Sequence, residues 1–214
     1  MFSVMFETKE HPKLRKEFEG YLAAILTDVA EAFSIEKANG IINGATLAKF
    51  WLFKNQQNPQ FKNAWKITKD GHSFYITSVD IDSTLVLRGR TTFVKTQTHT
   101  FLYCLLNTAQ DFGISLIRPE TIEDKIIELF QRTEIDFKED RLFSWKYFCQ
   151  SKTEEQFKGA VTLDLMEYLS GHSGLQLEFS GDLCLFKTEK SIIAKEDNLA
   201  LFHTGLGLSR LIGK

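Results

Sequence analysis

From Pro12 onward the apolar positions Leu14, Phe18, Tyr21, Leu22, Ile25, Val29 and Phe33 recur at three- and four-residue intervals, with Lys13, Lys16, Glu17 and Asp28 between them. This period gathers the apolar side chains into one stripe of an α-helix. Pro12 suits the first helical turn, where a backbone N–H has no intrahelical partner. The pattern predicts a helix of about 20 residues that stops near Asn39-Gly40.

From Leu47 the period shortens. Residues 47–53 read as a short strand. Residues 64–68 and 73–81 flank Asp70-Gly71. Asp-Gly between two strand-like runs predicts a hairpin, because both central residues of the favoured turn need positive φ. Residues 84–87, 91–94 and 98–106, rich in Thr, Val, Leu and Phe, are predicted as further strands of an antiparallel meander, with Gly89 separating the first two. A strand over 114–117 is stopped by Pro119. Thr121 then opens a helix with Asp124 as capping partner and Ile122, Ile126, Ile127 and Phe130 as its apolar face.

Residues 142–149 are aromatic and strand-like. Thr153-Glu154-Glu155-Gln156 opens a short helix, and Leu163, Leu165, Met166 and Leu169 make another that ends at Gly171. A second hairpin joins 175–179 to 183–186 through Gly181-Asp182. A last helix runs from about Glu196 to Leu211. Strands and helices are segregated, so the class is α+β: a mostly antiparallel sheet, an N-terminal amphipathic helix, helices inserted in the C-terminal half and a C-terminal helix. A soft boundary near Asp111 divides a strand-rich part, 1–110, from a mixed part, 111–214, either as two units or as one continuous domain.

Composition sharpens this reading. The 214 residues are 43% hydrophobic and 25% charged, as in an ordinary globular protein, with only 3 prolines. Nineteen phenylalanines stand against 5 tyrosines and 3 tryptophans, which favours a core rich in aromatic area without polar handles. Cys104, Cys149 and Cys184 are widely spaced within apolar runs. They read as buried thiols rather than as disulfides or zinc ligands. The first residues lack the basic start and long apolar run of a signal peptide, and no run approaches the ~20 residues of a membrane span. A cytoplasmic location is expected.

The net charge of −2 hides an uneven distribution. Residues 37–110 carry 9 basic and 3 acidic groups, whereas residues 111–140 carry 4 basic and 9 acidic. Lys49, Lys54, Lys62 and Lys66 alternate with Phe50, Trp51, Phe53, Phe61 and Trp65. Lysines beside aromatics suit phosphate attraction and base stacking in single-stranded nucleic acid. The simpler reading is an alternating strand, aromatics inward and lysines to water, or pairing of the basic stretch with the acidic one. The scarcity of arginine argues against nucleic acid.

Site chemistry is sparse. Asp80 and Asp82, two apart on a strand, share a face, and Asp70, His72 and His99 are the nearest candidates to complete a cation site; the set is incomplete and reads as a solvated strand end. There is no Gly-x-Ser-x-Gly elbow and no HExxH. Gly205-Leu206-Gly207-Leu208 lacks the third glycine and the lysine of a phosphate loop, and inside a helix it reads as close packing.

One resemblance emerges in the C-terminal half. Arg118-Pro119-Glu120 ends a strand; Ile135-Asp136-Phe137, Phe143-Ser144 with Tyr147, and a hairpin tipped by Gly181-Asp182 follow. This order resembles a group of uncharacterised bacterial proteins with an Arg-Pro-Glu, Ile-Asp-Phe, Phe-Ser-x-x-Tyr and Gly-Asp hairpin pattern, over roughly residues 21–190. The resemblance implies no reaction. Some members carry N-terminal hydrophobic spans, from which this chain departs. Physically, the motifs read as structure: Gly181-Asp182 as a tight turn, Ile135 and Phe137 buried against Phe143 and Tyr147, Asp136 and Ser144 as backbone caps.

The expected function is therefore non-catalytic: an interaction or scaffold domain for a protein or other macromolecular partner, with no catalytic residue, metal or cofactor assigned. Its surface residues are Lys49, Trp51, Lys54, Lys62, Trp65 and Lys66. The alternatives are a hydrolase-type enzyme, or single-stranded nucleic-acid binding through residues 49–69. An exposed apolar or basic patch favours the first reading. Burial of both Trp51 and Trp65 would remove the last.

Overall fold

A computed structural model of the chain describes residues 12–54, 56–88, 92–121, 123, 134–172, 174–188 and 195–214. The first helix, α1 (Pro12–Val29), places Leu22, Ile25 and Val29 in the core. It ends ten residues before Asn39-Gly40, and the chain turns at Ala30 into a short strand, β1 (Ser34–Lys37). Phe33 continues the apolar spacing past the helix, but its ring reaches the core from the turn.

Residues 47–53 are not a strand. Two single-turn helices, α2 (Gly44–Leu47) and α3 (Trp51–Lys54), occupy this stretch. Asn43 caps the first: its side-chain oxygen accepts the Thr46 N–H at 3.1 Å. Leu47, Phe50 and Phe53 are all buried while Trp51 and Lys54 are exposed, a spacing of three that a pleated strand cannot produce.

The meander is confirmed with fewer, longer strands: β2 (Gln57–Lys69), β3 (His72–Arg88) and β4 (Thr92–Asn107). Asp70 and Gly71 both have positive φ, 53° and 80°, as the hairpin signal requires. Then follow β5 (Ile114–Pro119), α4 (Arg141–Lys146), β6 (Tyr147–Ser151), α5 (Glu154–Ala160), α6 (Leu163–Ser170), β7 (Leu175–Ser180), β8 (Leu183–Thr188) and α7 (Lys195–Ile212). The predicted strand over 142–149 is thus half helix. Asp140 caps α4 by accepting the Leu142 and Phe143 N–H groups, both at 2.9 Å. The helix expected after Thr121 falls mostly outside the described residues.

Among the described residues eight strands form one sheet, in the order β1-β2-β3-β4-β8-β7-β5-β6, and every pairing is antiparallel. The protein is α+β with a mostly antiparallel sheet, as expected. One face carries the larger core. Ile67, Ile76, Cys104, Ile117, Cys149, Leu177 and Cys184 point there and meet α1, α5, α6 and α7. The other face carries Tyr75, Val79, Tyr103, Leu105 and Leu185 against Leu47, Phe50 and Phe53 of α2–α3. The sheet passes straight through residue 111, because β4 pairs with β8, and the larger core draws residues from both sides of that point.

Phe137, Phe143, Ser144 and Tyr147 of the C-terminal motifs serve packing and capping, whereas Asp136 does not act as a cap. Phe137 and Phe143 pack edge to face at 5.5 Å, and Phe143 stacks on Tyr147 at 5.4 Å. Ser144 Oγ accepts the Phe137 N–H at 2.9 Å and donates to the Phe137 carbonyl at 3.0 Å. The Tyr147 hydroxyl lies against the Leu169 and His172 carbonyls, satisfying the C-terminal end of α6. Asp136 is exposed. Glycines 205 and 207 allow close packing: a Cβ at Gly205 would lie 2.7 Å from the Phe74 ring, and one at Gly207 would overlap Tyr168.

Candidate functional site

The six basic and aromatic residues singled out by sequence do not form one surface. Lys49, Trp51 and Lys54 lie together on α2–α3 and the turn between them, and all three are exposed. Trp65 is half-buried against the larger core, on the opposite face of the sheet. Lys66 pairs in register with Tyr75 and so shares the α2–α3 side. Lys62 is engaged elsewhere: its Nζ lies 3.2 Å from the carboxylate of Asp80 and 3.1 Å from Gln60 Oε1. Successive base-stacking platforms are therefore not assembled, and Trp51 is the one exposed indole of the pair.

The setting of Trp51 is well defined. Phe50 and Phe53, on either side of it in sequence, are buried at 0% and 3% exposure, whereas Trp51 is 62% exposed. Beneath it lies Glu178 of β7, itself 5% exposed. Neighbouring β7 positions 175, 177 and 179 fill the larger core, so alternation turns Glu178 to the α2–α3 side. Its carboxylate accepts the Trp51 N–H through Oε1 and the Leu52 N–H through Oε2, the latter at 3.1 Å. Burial pushes the Glu178 carboxyl above its ordinary range; the two N–H groups and the nearby Lys54 charge act in the opposite direction. The carboxylate thus ties a helical turn to the sheet, where both partners would otherwise be unsatisfied.

This corner is continued by Ile114, 44% exposed, which pairs with Ser180 on the same face, two positions from Leu116, the register partner of Glu178. Asp182, at the adjacent β7–β8 turn, is held by Lys214 Nζ at 2.6 Å, which lowers its carboxyl. The corner thus presents an indole, an aliphatic side chain and the two exposed lysines 49 and 54. A separate apolar exposure occurs on α4, where Leu142 and Trp145 are 52% and 65% exposed.

The acidic pair is not a solvated strand end: it lies in the middle of β3, and Asp80 is buried beside Lys62. Asp80 accepts a hydrogen bond from Thr100 at 2.6 Å and Asp82 from Thr98 at 2.8 Å. His72 stands at the start of β3, about 26 Å from the mid-strand Asp80 at ~3.3 Å per residue. No group of three or more metal-ligating side chains occurs among the described residues. All three cysteines are free and buried, and burial raises each thiol well above its ordinary range. No helix among the described residues is long and apolar enough to cross a membrane.

Sequence reasoning found Trp51 and its lysines but missed Glu178. A lone glutamate within an apolar strand, Leu177-Glu178-Phe179, was the available signal. In comparisons with known proteins, no family model matches the chain, and neither a curated protein nor a solved structure matches it.

Proposed function

We propose that the protein is a non-catalytic interaction domain, and that Trp51 anchors a protein partner through a segment carrying apolar and acidic side chains. The observation that carries this reading is a mostly exposed indole on a backbone fixed from three sides: Phe50 and Phe53 in the core, and Glu178 on its N–H. A rigid, exposed tryptophan loses little conformational freedom on binding and offers large contact area, the property of interface anchors. Lys49 and Lys54 are exposed and favour an acidic partner; the carboxylates whose charge they feel, Asp182 and Glu178, are shared with Lys214 and with the Trp51 and Leu52 N–H groups.

The test is peptide-phage selection on the intact protein, followed by fluorescence anisotropy of the recovered peptides. Peptides combining Asp or Glu with Leu, Phe or Trp are expected. Trp51→Ala should weaken them about tenfold or more, and Trp145→Ala should leave them unchanged. Peptides indifferent to Trp51, or oligothymidylate binding more tightly than any peptide in a Trp51-dependent way, would overturn the proposal.

A further inference from the structure

A cleft of about 480 Å³ lies between the C-terminal end of α6 and the middle of α7. Its size falls in the range of small-ligand sites. Tyr168 and His172 form one wall; His203, Thr204, Gly207 and Arg210 form the other.

The first wall is fixed. Glycine at 207 lets the Tyr168 ring lie directly on α7, and the Tyr168 hydroxyl donates to the Thr204 carbonyl at 3.2 Å. His172 stacks on Tyr168 with centroids 4.1 Å apart. Its Nδ1 lies 2.7 Å from the Tyr168 carbonyl. A carbonyl only accepts, so Nδ1 carries the proton and Nε2 is left for another partner. The result is a flat, preorganised aromatic surface.

Among the described residues, Tyr168, His172, His203, Thr204 and Arg210 supply the polar side chains of the cleft lining, and Arg210 is its one permanent charge. The C-terminal carbonyls of α6, which would repel an anion, are already engaged: Lys146 Nζ donates to the Ser170 carbonyl at 2.6 Å and Tyr147 to those of Leu169 and His172. Arg210 is held at the rim by Asp70 at 3.1 Å, an exposed pair with half of each side chain or more in solvent. Such a pair is weak and exchangeable. A guanidinium offers paired donors suited to a carboxylate or phosphate.

We infer that this cleft binds a small aryl oxyanion: a planar ring against Tyr168 and His172, and a carboxylate or phosphate on Arg210 in place of Asp70. The inference is independent of the Trp51 surface, which lies on the opposite side of the sheet.

The experiment is a titration of the intact protein with benzoate, phenyl phosphate and inorganic phosphate, followed by NMR of the histidine ring signals. Saturable shifts of His172 and His203 are expected with at least one aryl oxyanion, and more weakly with inorganic phosphate. Benzoate and phenyl phosphate distinguish a carboxylate from a phosphoryl ligand. Arg210→Gln should weaken binding about tenfold, as for loss of a charged hydrogen bond. Asp70→Asn should tighten it by freeing Arg210, and asparagine tolerates the positive φ at that turn. No saturable shift with either aryl compound, or equal binding by wild type and Arg210→Gln, would overturn the inference. Because the two variants are expected to act in opposite directions, a general loss of folding cannot imitate the result.

Discussion

Glu178 shows how one side chain can set the geometry of a surface it does not itself display. Its two N–H contacts hold α3 on the sheet. Glu178→Ala leaves two backbone donors without an acceptor, at a cost of about 1–3 kcal/mol. The expected outcome is a lower denaturation midpoint and altered Trp51 fluorescence. The pH dependence has a defined sign. The folded-state pKa is raised by burial, so this group's contribution is fully present below the unfolded glutamate range and is lost as pH rises through the folded value. As pH rises from about 4, the ordinary glutamate range, through the raised folded value, wild type should lose stability relative to Glu178→Gln. A difference constant with pH in urea titrations would contradict this.

At the scale of elements, two glycines in helices should respond oppositely to alanine. Gly205 of α7 faces the Phe74 ring, and Phe74 is 0% exposed, so Gly205→Ala forces core atoms apart at about 1–3 kcal/mol. Gly20 of α1 is exposed with nothing near its absent Cβ, and Gly20→Ala should stabilise by about 0.5–1 kcal/mol through helix propensity. Thermal melts of both variants check the signs. The caps matter likewise: Asp140→Ala removes both bonds at the start of α4 and should cost about 0.5–2 kcal/mol. Loss of that cap loosens Phe143, which packs against Phe137 and Tyr147.

At the scale of the whole molecule, one sheet and one larger core cross the apparent boundary at Asp111. Unfolding should therefore be a single cooperative transition. The cysteines report on it from both sides: Cys104 lies in β4, Cys149 in β6 and Cys184 in β8, each no more than 1% exposed. In graded denaturant all three are expected to become reactive toward a thiol reagent at one midpoint, which mass spectrometry of labelled peptides can resolve. Cys104 reacting at a separate midpoint would show two independent folding units. The charge asymmetry is resolved in part by local uses. Lys62 meets Asp80 within the basic stretch, while Asp111 and Asp140 in the acidic stretch accept backbone N–H groups from Gly113 and from Leu142 and Phe143.

By itself the sequence determined what short-range chemistry controls. The Asp70-Gly71 and Gly181-Asp182 turns, the helical stripes of α1, α6 and α7, the burial of three thiols and the close-packing role of Gly205 and Gly207 all depend on conformations or side-chain sizes written within a few residues. Tertiary structure decided the rest. Whether residues 47–53 alternate or recur at three depends on a sheet face contributed by β3, β4 and β8. The buried Glu178 meets a helical turn 127 residues earlier in the chain, and Arg210 meets an aspartate 140 residues away. Trp51 and Trp65 look equivalent in sequence, but the sheet lies between them. Hydrophobic pattern fixes which residues leave water, and only the order of the strands fixes which of those that remain exposed stand side by side.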